Sequence, residues 1–195
     1  MNNTDMLGIL DFLRHAEQLK NTLRNAHTSN GRQESTAEHT WRLCLMVMMF
    51  EKELPEIDHG RLMKMCVIHD LGEAISGDIA AIHQDPNVDK SQQEREDLLT
   101  LMQPLPSSLQ DTILELWDEY EQAATPEAKI AKGLDKLETM IQHNQGQNPS
   151  DFNYGFNLTY GKQYTDQSPL LAAIRALVDQ DTEYHHAEQQ RAVGS

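Results

Sequence analysis

Residues 62–78 read LMKMCVIHDLGEAISGD, an apolar helical run that turns abruptly polar at His69. Leu62, Met65, Cys66 and His69 share one face at helical spacing, and Asp58 stands where an N-cap belongs. Burying that face carries His69 inward, with Asp70, Glu73 and Asp78 close behind. Ionisable side chains rarely enter a core without partners. Those partners have to come from elsewhere in the chain.

Helix signals recur along the 195 residues, and strand signals do not. An opening helix is expected near 5–23, with Leu7, Leu10, Leu13 and Leu19 as its apolar positions, followed by a polar loop over 25–32. Ser35 and Glu38 spell a capping box for a helix running to about Leu54. It is apolar nearly all round from Leu43 to Phe50, which predicts a central, buried helix. A loop covers 77–89 with a turn at Asp85-Pro86-Asn87, and Ser91 with Glu94 forms a second capping box for a helix ending near Pro104. Ser107 or Ser108 opens a helix through Trp117 and Tyr120. Thr125-Pro126-Glu127 opens another that keeps Ile130, Leu134, Leu137 and Ile141 in register. Residues 145–167, rich in Asn, Gly, Tyr and Gln, read as irregular, and a last helix spans about 168–187. No repeat or linker divides the chain. The expectation is one all-α domain over 1–195.

The net charge is −15, from 31 acidic against 16 basic residues. Such a field opposes a nucleic-acid polymer or an anionic membrane surface. An anionic substrate needs a metal ion, or a local group of Arg and Lys, to reverse the sign. Cys44 and Cys66 lie inside apolar runs, which favours reduced thiols over a disulfide. No signal-peptide pattern opens the chain, and the longest apolar run, 43–50, is too short to span a bilayer. A cytoplasmic protein is expected.

His39 occupies the first turn of the second helix, in line with Leu43, Met46 and Phe50. His69 and Asp70 end the third, and Asp135 follows Leu134 at the margin of a later apolar stripe. Two imidazoles and two carboxylates suit one divalent ion that keeps room for water. Taken singly, each has a plainer reading. His39 would be a satisfied core histidine, Asp70 a backbone partner, and Asp135 a pair for Lys132 or Lys136. Glu73 and Asp78 would be turn residues, and Arg24 a surface arginine. The order His, His-Asp, Asp on three core-forming helices favours the joint reading.

The stretches ESTAEHTWRL (34–43), VIHDLGEAISGDI (67–79), ELWDEYEQAATPEAKIAKGLDKLE (115–138) and, more loosely, LKNTLRN (19–25) resemble the HD-domain metal-dependent phosphohydrolases. Within these the chain is most similar to the single-domain bacterial 5′-deoxynucleotidases and their eukaryotic HD-domain-containing relatives. The motif-bearing core covers about 19–145.

The resemblance implies a helical bundle with a buried mononuclear site, its ligands His39, His69, Asp70 and Asp135. The ion is one of Mn, Co, Mg, Zn, Ni or Fe. Glu73 is implied as the acid acting on the attacking water, Asp78 as a second acid near the leaving group, and Arg24 as the phosphate-binding arginine. The implied activity is removal of the 5′-phosphate from nucleoside or deoxynucleoside monophosphates. Another small phosphate ester, a nucleoside triphosphate, or a non-catalytic nucleotide-binding module stand as alternatives. The resemblance also suggests a homodimer. One departure bears on the sugar: a tryptophan follows the arginine in the deoxynucleotidases, and Asn25 stands here. Dinuclear and guanosine-polyphosphate-hydrolysing relatives fit less well, because extra histidines and the HDxxED pattern are missing.

Overall fold

The structure, a computed structural model, describes residues 1–83 and 90–193. It is helical, as expected, with one small addition. Helix α1 (Asn3–Ala16) leads through a 3₁₀ turn into a hairpin of β1 (Leu23–His27) and β2 (Gln33–Ser35). There follow α2 (Thr36–Phe50), α3 (His59–Ile68), the short α4 (Glu73–Ser76), α5 (Lys90–Leu101), α6 (Ser107–Gln122) and α7 (Pro126–Gln145). Two single-turn helices, α8 (Tyr154–Asn157) and α9 (Lys162–Thr165), precede the long α10 (Pro169–Val193). No helix among the described residues is long and apolar enough to cross a membrane.

Helix α7 is the axis of the fold, with α2, α3, α6, α9, α10 and β1 packed against it. Its start is the one the sequence spells: Thr125 caps Ala128 N–H and Pro126 takes the first helical position. Leu134, Leu137 and Met140 are fully buried, each contributing about 1.5–3 kcal/mol of apolar burial. Gly133 lets α10 come close, since a Cβ there would lie 2.4 Å from Leu171 Cδ1.

Caps at Ser35 with Glu38 and at Asp58 form as read. Ser91 does not cap. It lies inside α5, and its hydroxyl donates to Glu121 at 2.9 Å. The expected turn at Asp85-Pro86-Asn87 lies outside the described residues.

Three expectations give way. The opening helix stops at Ala16, and Leu7, Leu10 and Leu13 are exposed because α1 packs mainly through Gly8, Ile9 and Phe12. The presumed polar loop at 25–32 is largely hairpin, with Leu23 opposite Ser35 and Gly31 turning at φ +80. The second helix is not buried all round. Leu43, Met46 and Val47 face inward, while Trp41, Leu45, Met48 and Met49 face out.

Candidate metal centre and adjoining cavity

The capping box that starts α2 fixes the first turn of that helix over α7, and His39 there is fully buried. Its Nδ1 meets the Glu138 carboxylate, an acceptor, so Nδ1 carries a proton and Nε2 is the nitrogen that would face an ion. With no ion bound, burial opposes the ring's charge, but the Glu138 and Asp135 carboxylates outweigh that and raise its pKa to about 10. His69 closes α3. Its Nδ1 lies 2.9 Å from the Cys66 carbonyl, which accepts, so Nε2 is again the nitrogen that would face an ion. Both Nε2 atoms are buried and have no hydrogen-bond partner among the described residues.

Two carboxylates face those nitrogens. Asp70 Oδ2 lies 3.1 Å from His69 Nε2 and 3.7 Å from His39 Nε2. Asp135 Oδ1 lies 3.2 Å from His39 Nε2 and 3.9 Å from His69 Nε2. Around an ion about 2.1 Å from each donor, adjacent donors sit about 3.0–3.4 Å apart. The donor atoms of His39, His69 and Asp70 lie close enough together to hold a divalent ion, and Asp135 Oδ1, within 3.9 Å of both imidazole nitrogens, stands beside them as a fourth donor.

Neighbouring groups hold these four in place. Glu138 takes Arg42 Nε at 2.6 Å with its other oxygen, so both of its oxygens are committed. Tyr120 donates to Asp135 Oδ2 at 2.8 Å, and Lys136 Nζ lies 2.8 Å from the same oxygen. Trp117 Nε1 donates to the His69 carbonyl at 3.1 Å. Carboxylates and carbonyls that orient ligating histidines are a general feature of metal sites. Glu138 and Tyr120 were not singled out from the sequence. Glu138 had a signal: it lies three residues after Asp135, nearly one turn along the same buried face.

Glu73 reaches the cavity by another route than a continuing helix. After Ile68 the chain tightens into i→i−3 bonds, Leu71 N–H to the Ile68 carbonyl and Glu73 N–H to the Asp70 carbonyl. Gly72 lets α5 pack tightly on this turn, since a Cβ there would meet the Glu94 carbonyl oxygen at 2.6 Å. Glu73 is buried and accepts from the Thr36 hydroxyl at 3.0 Å. Burial, and then the Asp70 and Asp78 charges, push its carboxyl up to about 9.

Arg24 is no surface residue. It lies on β1 with its side chain 11% exposed, 3.6 Å from Asp70 and 3.4 Å from Glu34, and it donates to Thr139 at 3.1 Å. Burial opposes its charge, but Asp78 and Asp70 outweigh that and keep it firmly protonated. Asp78, half-buried, and the exposed Asn25 line the same cavity. All eight residues named from the sequence therefore belong to one neighbourhood.

That cavity measures about 430 Å³. His69, Asp70, Asp135 and Glu73 line it on the side of the candidate metal site, with His39 behind them. Residues of the stretch 145–167 form the other side, including Phe152, Phe156, Tyr160 and Tyr164. Lys132 and Lys136 also line it, each paired with a carboxylate: Lys132 with Glu121 at 2.7 Å and Lys136 with Asp135 at 2.8 Å.

The family described as HD domain matches residues 16–175 of the chain. The chain is 33% identical over 140 residues to 5′-deoxynucleotidase HDDC2 of Homo sapiens, covering 71% of this chain and 68% of that one. It is 37% identical over 148 residues to 5′-deoxynucleotidase hdd1 of Schizosaccharomyces pombe, with 73% and 74% covered. A crystal structure described as a predicted metal-dependent phosphohydrolase from Magnetospirillum magnetotacticum superposes with a TM-score of 0.80 at 26% identity, over 94% of this chain and 98% of that one.

Proposed function

The chain belongs to the HD-domain family, and from that premise we propose that it is a metal-dependent hydrolase releasing the 5′-phosphate of nucleoside and deoxynucleoside monophosphates. The observation that carries the reading is the convergence of His39 Nε2, His69 Nε2, Asp70 Oδ2 and Asp135 Oδ1, with Arg24 3.6 Å from Asp70 and Glu73 beside them. A divalent ion held by those four residues would acidify a water, polarise a phosphoryl oxygen and draw Glu73 back to its carboxylate form.

The chain's own residues do the rest. Arg24 offers the phosphate a fork of N–H donors held rigid by Thr139 and Glu34. Glu73 takes the proton of the attacking water as the P–O bond to the ribose breaks. Thr36 fixes the orientation of that carboxylate. Asp78 or solvent protonates the departing 5′-oxygen. Asn25, on the strand beside Arg24, faces the sugar, and its amide can hydrogen-bond a 2′-hydroxyl where a tryptophan would set a large apolar wall.

A panel of ribo- and deoxyribonucleoside monophosphates assayed against each divalent metal tests this reading. We expect AMP and dAMP to be turned over with comparable kcat/KM, and Asn25→Trp to favour dAMP. Arg24→Ala should mainly raise KM, because it removes contact made in both ground and transition states. No phosphate release from any monophosphate with any metal would overturn the proposal. A strong dAMP preference that Asn25→Trp leaves unchanged would move sugar selection elsewhere.

Two further elements belong to the same reading. A reducing, cytoplasmic setting is supported by the free thiols of Cys44 and Cys66, and recovery of the protein only in membrane or secreted fractions would exclude it. A homodimer is supported by the exposed stripe of Trp41, Leu45, Met48 and Met49 on α2. A purely monomeric mass in sedimentation at micromolar concentration would exclude that.

A further inference from the structure

Resting on the nucleotidase reading above, we infer that Phe156 and Tyr160 form the wall against which the substrate's nucleobase stacks. On this view the far end of the cavity, and not the metal end alone, selects nucleotides among phosphate monoesters. The two rings lie 5.4 Å apart, tilted by 30°, and both line the cavity in a half-buried state. Their spacing of four residues puts them on one side of α8 and the turn that follows.

The backbone beneath them is held independently of the rings. Arg175, only 3% exposed on α10, donates to the Tyr160 and Asn157 carbonyls at 2.7 Å each and is anchored by Asp179 at 2.7 Å. The segment is thus anchored through its main chain as well as its rings, and both rings line the cavity, with Lys136 over that of Tyr160.

Lys136 gives the scale. Its Nζ lies 2.8 Å from Asp135 and 5.5 Å from the centre of the Tyr160 ring. One ammonium thus lies close to both the ligand end and the aromatic wall, a separation that a sugar can bridge. The cavity volume of about 430 Å³ is in the range of small-ligand sites, about 300–1,000 Å³. Every nucleobase has a π-face, so a wall of this kind accepts purines and pyrimidines alike while rejecting esters that lack a base.

The test compares metal-loaded parental protein with Phe156→Leu, Tyr160→Leu, the double variant and Tyr160→Phe. Leucine keeps apolar bulk and removes the ring; phenylalanine keeps the ring. KM for dAMP is read together with the inhibition constant of inorganic phosphate, which has no base. Calorimetric binding of dAMP in a Glu73→Gln background gives the same comparison without turnover. We expect the double variant to weaken dAMP about 10- to 100-fold, the usual size of base–aromatic stacking, with phosphate inhibition unchanged and Tyr160→Phe binding dAMP more tightly than Tyr160→Leu. Equal weakening of dAMP and phosphate would show a structural role and overturn the inference, as would unchanged dAMP binding. If the parent hydrolyses 2-deoxyribose 5-phosphate but no nucleotide, the nucleotidase reading itself falls, and this inference with it.

Discussion

Glu73→Gln protein is expected to keep its metal and bind nucleotide while kcat falls by about 10²–10⁴, the usual contribution of a positioned general acid or base. The substitution suits the site. Gln retains an oxygen to accept from Thr36 and fills the same buried volume, so the turn from His69 to Glu73 has no reason to change. Without metal, burial and the Asp70 and Asp78 charges hold the Glu73 carboxyl up near 9, so at pH 7 a neutral amide replaces a neutral acid. Metal-free stability should therefore move little. Metal content by elemental analysis, nucleotide binding by calorimetry and steady-state kinetics separate the outcomes. Loss of metal would make Glu73 a ligand, and an unchanged kcat would remove it from the chemistry.

Asp70→Ala should do the opposite, ending metal retention and activity together. Asp70 Oδ2 is the oxygen nearest His69 Nε2 and also faces His39 Nε2, so its loss opens one side of the donor set. In the parent, metal at a hundred times its dissociation constant should add about 2.7 kcal/mol of stability. That corresponds to a rise of roughly 5–10 °C in Tm at this chain length. The variant should show no metal-dependent shift, and its metal-free Tm serves as the control for misfolding. A full equivalent of metal in Asp70→Ala protein, with normal turnover, would refute the proposed ligand set.

Where the candidate ligands fall in the fold was legible because each sits where local rules are strong. His39 follows a capping box by one turn, and His69 ends an amphipathic run capped by Asp58. Asp135 rides on a helix with Thr, Pro and Glu at its start. The hairpin was not legible. Leu23–His27 shows no alternation of apolar and polar residues, and its strand character comes from contact with β2 and α7. The Gln142 amide, for example, donates to the His27 carbonyl at 2.5 Å. Taken alone, Arg24 accordingly read as an ordinary surface arginine, and only the resemblance implied a phosphate-binding role; long-range partners bury it. The stripe Leu7, Leu10, Leu13 misled in the opposite direction, since an apolar face predicts burial without naming a partner. Glu138 sat in plain view beside Asp135, but only the fold brings His39 and Arg42 to it.

Residues 145–167 give the clearest case of order imposed from a distance, because Arg175 grips that stretch by its carbonyl oxygens. Every residue type offers the same carbonyl. Where α10 grips its carbonyls, the scaffold of the cavity wall is thus indifferent to the side chain displayed, within the limits of Gly161 at φ +69, the tight approach at Gly155, and the side-chain ties of Asn153 and Asn157. Such an arrangement separates evolvability from foldability. Positions 152, 156 and 160 can drift or be randomised to retune what the cavity admits, while α10 keeps the wall standing.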